Sequence, residues 1–247
     1  MVGMLVWSAP RKGKREKTVL LRERSVLHLR VCCAELQKGP RTPEAVLRRR
    51  VRDAAKRLRK AGVSRVVLPE DFPYEALLEE HGLRSVSALP LRKALAADWV
   101  RWSLRERGVP AAQARVAVAA ESLTGEVVRT VTDLALRHRY VLLAVPYGGE
   151  ELSHRLRREY GVSILLTPTR EQLEGADAVL LFAARTDLSG RQVLPLYDER
   201  VPMPPVALPP ALEDALPPGV VRPQLLTLLL EGGVLRPGQM VLQGGET

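Results

Sequence analysis

Arg115-Val116-Ala117-Val118-Ala119-Ala120-Glu121-Ser122-Leu123-Thr124-Gly125 decides how this chain is read. An unbroken apolar run passes into a short polar turn and then a helical pattern with Val127, Val128, Val131, Leu134 and Leu136 on its apolar side. Apolar runs without alternation belong to strands covered on both faces. Three more such runs follow, at 140–145, 162–166 and 178–182. Between the first two lies a second helix, opened by Gly148-Gly149, with Glu150 and Glu151 at its positive end and a stop at Gly161. This alternation predicts a parallel sheet with crossover helices.

The order resembles a Rossmann-type dinucleotide-binding unit, without its glycine fingerprint. Such units place glycines after the first strand, so that backbone approaches a pyrophosphate seated on the next helix N-terminus. Here only Gly125 remains, and Glu121 brings a negative charge to the same turn. The hydroxyls of Ser122 and Thr124 either hold a small anion or cap the helix. The second strand runs into Pro146-Tyr147-Gly148-Gly149 with no acidic residue for a ribose, and Glu150 and Glu151 read as first-turn helix residues. Open sheets bind ligands outside the carboxyl ends of their strands. The expected lining is therefore Glu121, Ser122, Thr124, Gly125, Pro146, Tyr147, Gly148 and Gly149.

Upstream, strands are expected at 4–7, 18–21 and 26–32, with a basic loop at 11–17 and a charged separator, Arg22-Glu23-Arg24. Thr42 is positioned to cap a helix with Pro43 at its first position, and Leu47, Val51, Ala54, Leu58 and Ala61 form its buried stripe. Gly62 follows as a left-handed stop. A strand at 66–68, a short helix at 74–80, a short strand at 85–90 and one long helix at 91–107 complete this part. Beyond residue 190, a strand is expected at 191–196. The proline-rich stretch 201–223 reads as an extended linker. A short helix at 224–230 and an edge strand at 239–242 close the chain. The expected organisation is a small N-terminal α+β unit (1–90), a connecting helix (91–110), a Rossmann-like unit (111–200) and a Pro-rich tail (201–247). The fold class is α/β.

The element order, together with Glu171-Gln172-Leu173-Glu174-Gly175-Ala176-Asp177-Ala178-Val179-Leu180, resembles shikimate dehydrogenase and glutamyl-tRNA reductase. That resemblance implies NAD(P) as cofactor. It also implies an acid–base lysine in a motif whose nearest counterpart is Ser85-Val86-Ser87-Ala88-Leu89-Pro90-Leu91-Arg92-Lys93, one residue too long before Pro90. Arg92 falls at the lysine's offset, and an arginine stays protonated at neutral pH. Lys93, one place on, is either the catalytic group or an exposed helix residue.

The chain has 247 residues and a formal charge of +10 from 38 basic and 28 acidic residues. Seven of the basic residues are Lys and 31 are Arg, with one Ile and no Asn. A GC-rich bacterial genome yields such a composition, and the lack of Asn with 19 prolines suits a thermophilic source. Clustered charge would instead speak for nucleic acid. The cluster that qualifies is Arg48, Arg49, Arg52, Lys56 and Arg59, near one face of the 43–61 helix; its alternative is a solvated surface. Cys32 and Cys33 exclude a disulfide framework and a cysteine-only zinc site, and read as one inward and one outward side chain of a strand. His28, His81, His138 and His154 lack metal-ligand spacing, so no metal is expected. No apolar run spans a membrane and no signal peptide is evident, so a cytoplasmic location is expected. The 225–230 helix is a candidate contact with a second copy or a protein partner. Three functions stand open: a non-catalytic or weakly ligand-binding Rossmann-like protein with an eroded dinucleotide site, an NAD(P)-dependent oxidoreductase with an atypical phosphate turn, and a nucleic-acid binder acting through the basic helix.

Overall fold

The computed structural model describes residues 2–9 and 19–244, and the basic stretch 11–17 lies outside them. The chain divides into two compact units, one of residues 1–88 and 208–239 and the other of 89–207 and 240–247.

The first unit is built on β1 (Val2–Ser8), β2 (Val19–Val26), β3 (Leu29–Gln37), α1 (Glu44–Lys60), β4 (Arg65–Val67), α2 (Glu75–Glu79) and β5 (Arg84–Ser85). Its sheet has the order β2-β3-β1-β4-β5, antiparallel only between β2 and β3. The expected strand at 26–32 is in fact broken by a two-residue turn, Leu27-His28, with φ of +47° and +71°. The expected separator Arg22-Glu23-Arg24 lies within β2. Such turns are usually announced by Asn-Gly, and Leu-His gives no such sign. Cys32 and Cys33 do not alternate between core and solvent: both are buried, because β3 is an inner strand covered on both faces. Burial pushes the Cys33 thiol up to about 11. Thr42 does not cap α1; its Oγ1 accepts from the Gly39 N–H at 2.9 Å, and Pro43 is the cap. Leu47, Val51, Ala54, Ala55 and Leu58 bury the inner face of α1, while Ala61 lies exposed past its end.

The second unit opens with two helices, α3 (Leu89–Ala94) and α4 (Ala96–Glu106), where one was expected. The break falls at the buried Leu95, next to a buried arginine. Arg92, 4% exposed, donates to the carbonyls of Glu199 (3.1 Å), Val201 and Pro195, and its guanidinium lies over the Trp99 ring. Burial pulls its pKa down, while Glu199 and Asp198 oppose that shift. Thus α3 is shaped to bring one cation to three carbonyls of a returning loop.

The sheet follows as β6 (Arg115–Ala119), α5 (Gly125–Ala135), β7 (Tyr140–Ala144), α6 (Gly149–Tyr160), β8 (Leu165–Leu166), α7 (Arg170–Glu174), β9 (Ala178–Leu181) and β10 (Val193–Pro195). All five strands are parallel, in the order β10-β9-β6-β7-β8. Counted from β6 this is the 3-2-1-4-5 order of a Rossmann unit, with its switch point between β6 and β9. The expected run 162–166 keeps two residues of strand, and Thr167 ends it at φ +47°, a left-handed position unusual for a β-branched residue.

The proline-rich segment is not wholly a linker. It contributes β11 (Val206–Ala207) and α8 (Pro210–Glu213), whose Glu213 forms a bidentate pair with Arg222 at 2.6 and 2.7 Å. The last helix, α9 (Arg222–Glu231), returns to the first unit. Gln224 Oε1 accepts from the Leu68 N–H at 2.8 Å, and Gly232 sits so close to Leu29 that a Cβ there would come within 3.0 Å. Leu225, Leu226, Leu228 and Leu229 are buried within the chain, so α9 is core and not the expected surface for a second copy. A final strand, β12 (Val241–Leu242), pairs antiparallel with β11 in the second unit. Among the described residues no helix is long and apolar enough to cross a membrane.

Candidate functional site

At the carboxyl ends of β6, β7, β8 and β9 lies a cleft of about 400 Å³, lined mainly by alanine, valine and proline, with Glu121, Thr167 and Arg185 as its polar residues. Its place follows from topology: the chain leaves β6 and β9 in opposite directions and opens a crevice between them. Small side chains at Ala119, Ala120, Ala144, Ala183 and Ala184 keep it open.

Of the residues expected from sequence, Glu121 and Pro146 line this cleft. The others do not. Thr124 caps α5, its Oγ1 accepting from the Val127 N–H at 3.4 Å. Ser122 is exposed in the same turn. Gly125 is the first residue of α5; its φ is not positive, and a Cβ there would meet nothing within 4 Å, so no tight turn or close approach requires a glycine. Tyr147 is 86% exposed. Gly148, at φ +80°, has Leu123 laid against it, and Gly149 packs α6 onto Leu166 and Val145. These two glycines serve helix packing. Thr167, Ala183, Ala184 and Arg185 line the cleft and were missed; the small residues after the fourth apolar run were the available sign.

Arg185 is committed locally. It holds Asp187 through two bonds, Nε to Oδ1 at 3.0 Å and Nη2 to Oδ2 at 2.6 Å. That pairing raises the arginine's pKa and holds the aspartate below the usual carboxylate range. At the start of α5, Glu126 pairs with Lys93 at 3.0 Å. Lys93 is thus engaged by a carboxylate on the helix, Arg92 is buried on carbonyls, and neither is among the residues that line the cleft. Asp177, central to the other resembling segment, accepts from the Arg115 N–H at 2.7 Å, at the start of β6 and the opposite end of the sheet. Among the described residues no three His, Cys, Asp or Glu side chains are grouped so that they could hold a metal ion.

The dinucleotide clamp does not fit these residues. Glu121 stands in the turn where backbone should approach a pyrophosphate, Gly125 is an ordinary helical residue, and β7 ends at Ala144 and runs into Val145-Pro146 with no carboxylate there for a ribose.

No protein-family model matches the chain, and no curated protein matches it. Among solved structures, the chain is similar to an L-tryptophan dehydrogenase from Nostoc punctiforme (12% identity, TM-score 0.28, covering 61% of this chain and 44% of that one). It is also similar to a D-lactate dehydrogenase with NAD+ from Lactobacillus jensenii (11%, 0.27, 61% and 55%). A third is the D-mandelate dehydrogenase of Rhodotorula graminis (9%, 0.29, 95% and 80%). The chain spans about half the length of the first two. The Rossmann assignment rests on the strand order of the second unit.

Proposed function

We propose that the protein is a Rossmann-like binding protein whose dinucleotide site has eroded, and that its second unit takes a compact ligand without phosphates, weakly, in the cleft beside Glu121. The observation that carries this reading is the pairing of an open, alanine-floored cleft at the switch point with a carboxylate in the turn that would otherwise seat phosphate. At about 400 Å³ the cleft is near the small end of ligand sites. Its apolar walls favour a nucleoside-like or amine-bearing molecule, with Glu121 accepting its hydrogen bonds. A phosphate there would meet a like charge in place of donors.

Thermal unfolding of the full chain against adenosine, AMP, NAD and NADP tests this. Adenosine should raise the melting temperature at millimolar concentration at least as much as the phosphorylated ligands do. Ala184→Trp, at an exposed lining position, should abolish the shift while leaving the unliganded melting temperature unchanged. A shift saturating at micromolar NAD or NADP would overturn the reading and restore the oxidoreductase.

A further inference from the structure

The net charge of this protein is not spread over it. The first unit holds 22 basic and 13 acidic residues, a net of +9, whereas the second holds 16 and 15, a net of +1. A genome's codon bias acts on both units alike, so it does not account for the difference. Charge asymmetry between parts of one chain is instead a signature of an anionic partner.

Among the described residues the excess is concentrated on α1, which carries eight basic and two acidic residues over its 17 positions. At 100° per residue, Arg48, Arg49, Arg52, Lys56, Arg59 and Lys60 fall within about 60° of one line along the helix, opposite the buried Leu47, Val51, Ala54 and Leu58. All six are exposed. The stripe runs about 18 Å, from a rise of 1.5 Å per residue. Its two carboxylates are at the borders, Glu44 against Arg48 at 3.5 Å and Asp53 against Arg57 at 2.9 Å. The neighbouring α2 presents exposed Glu75 and Glu79, with Glu80 just past its end, and none of them reaches a stripe cation within 4 Å. Arg49, Arg52, Lys56 and Lys60 have no ion-pair partner among the described residues.

We infer that this face of α1 binds the phosphate backbone of duplex nucleic acid, without reading its sequence. Three features select that partner. The apolar face of α1 is core, so the helix cannot insert into a bilayer as an amphipathic helix does. Trp7 and Phe72 are half-buried, Tyr74 is buried and α1 carries no aromatic residue, so bases of a single strand tracking the stripe would find no stacking platform on it. The stripe is Arg and Lys alone, with no apolar anchor for a protein interface and no amide to read an adenine edge.

The test is fluorescence anisotropy of the full chain with two 20-base-pair duplexes of unrelated sequence, from 50 to 200 mM salt. Both duplexes should bind equally, and with four to six phosphates neutralised the affinity should fall about 10²–10³-fold over that range. Arg49→Glu/Arg52→Glu/Lys56→Glu should weaken binding at least about 30-fold at 50 mM salt, at an unchanged melting temperature. Arg155→Glu/Arg157→Glu/Arg158→Glu, on exposed positions of α6, changes the net charge equally and should weaken it less than about 3-fold. Should the first variant fold poorly, Arg52→Gln/Lys56→Gln should lower the salt slope by about 2. Equal losses in the two triple variants, equally tight binding of polyglutamate, or no duplex binding at 50 mM salt would each overturn the inference. None of these outcomes bears on the cleft of the second unit.

Discussion

Each unit covers a five-stranded sheet with helices, yet the two present different surfaces to water. In the second unit several arginines are paired within their own turn or helix: Arg137 with Asp133, Arg170 with Glu174, Arg185 with Asp187, Arg200 with Asp198 and Arg101 with Asp98. Its exposed large hydrophobic side chains include Leu136, Tyr140, Tyr147, Tyr160 and Leu165, whereas among large hydrophobics the first unit's described residues expose Val46 alone. In the first unit the outer helix pairs Arg48 with Glu44 and Arg57 with Asp53 and leaves Arg49, Arg52, Lys56 and Lys60 without an ion pair among the described residues. An arginine-rich composition therefore does not by itself make a basic surface. What matters is whether acidic residues are placed beside the arginines, and along the outer face of α1 most cations have none.

The comparison breaks most visibly if the units do not keep separate cores. Leu58 is fully buried in the first and Leu143 in the second. Truncating either to alanine should cost about 2–5 kcal/mol, as deleting buried methyl groups does. Amide hydrogen exchange should show Leu58→Ala loosening β1, β3 and β4, and Leu143→Ala loosening β6, β7 and β9. Equal loss of protection in both sheets from either variant would refute the division.

A titratable group sharpens the contrast at high pH. Cys33 is fully buried, and its folded pKa of about 11 stands above the ordinary 9.0. The folded state therefore keeps a proton that the unfolded chain releases, so stability falls as pH rises through that window. Its contribution is fully present below pH 9 and declines towards pH 11, by about 3 kcal/mol at most. Urea unfolding of wild type and Cys33→Ala from pH 8 to 11 should show a steeper decline in the wild type. Parallel curves would place the shift elsewhere.

The smallest effect concerns the turn that first suggested a phosphate site. Gly125 has helical backbone and open space around its Cβ position, so Gly125→Ala should stabilise the chain by about 0.5–1 kcal/mol through the unfolded state. Destabilisation would mean that the turn needs its glycine after all.

The central strands were legible because strands buried on both faces read as continuous apolar runs, and 115–119, 140–144 and 178–181 do so. The Leu27-His28 turn was not, because its left-handed backbone is imposed by the pairing of β2 with β3 and not by turn residues. Nor was the break at Leu95 visible in local sequence: it is tied to Arg92, whose carbonyl partners lie about a hundred residues away. For the cleft, sequence supplied its two loops after β6 and β7. It misassigned their residues, because Thr124, Gly148 and Gly149 carry signals that capping and packing also produce. Thr167 and Ala183–Arg185 are brought in by strand order, which spacing alone does not reveal.

One feature of the chain path bears on how the protein is made. The first unit is begun by residues 1–88 but covered by α9, and the second holds β11 while waiting for β12. A ribosome extends a chain by roughly 5–20 residues per second. For seconds after its strands have emerged, the first sheet therefore lacks Leu225–Leu229 over it, with hydrophobic surface open to chaperones. The usual sequence, in which the segment made first folds first, is closed to this chain. Both units wait for the same stretch, residues 222–242, and a ribosome that stalls before residue 222 leaves neither one finished.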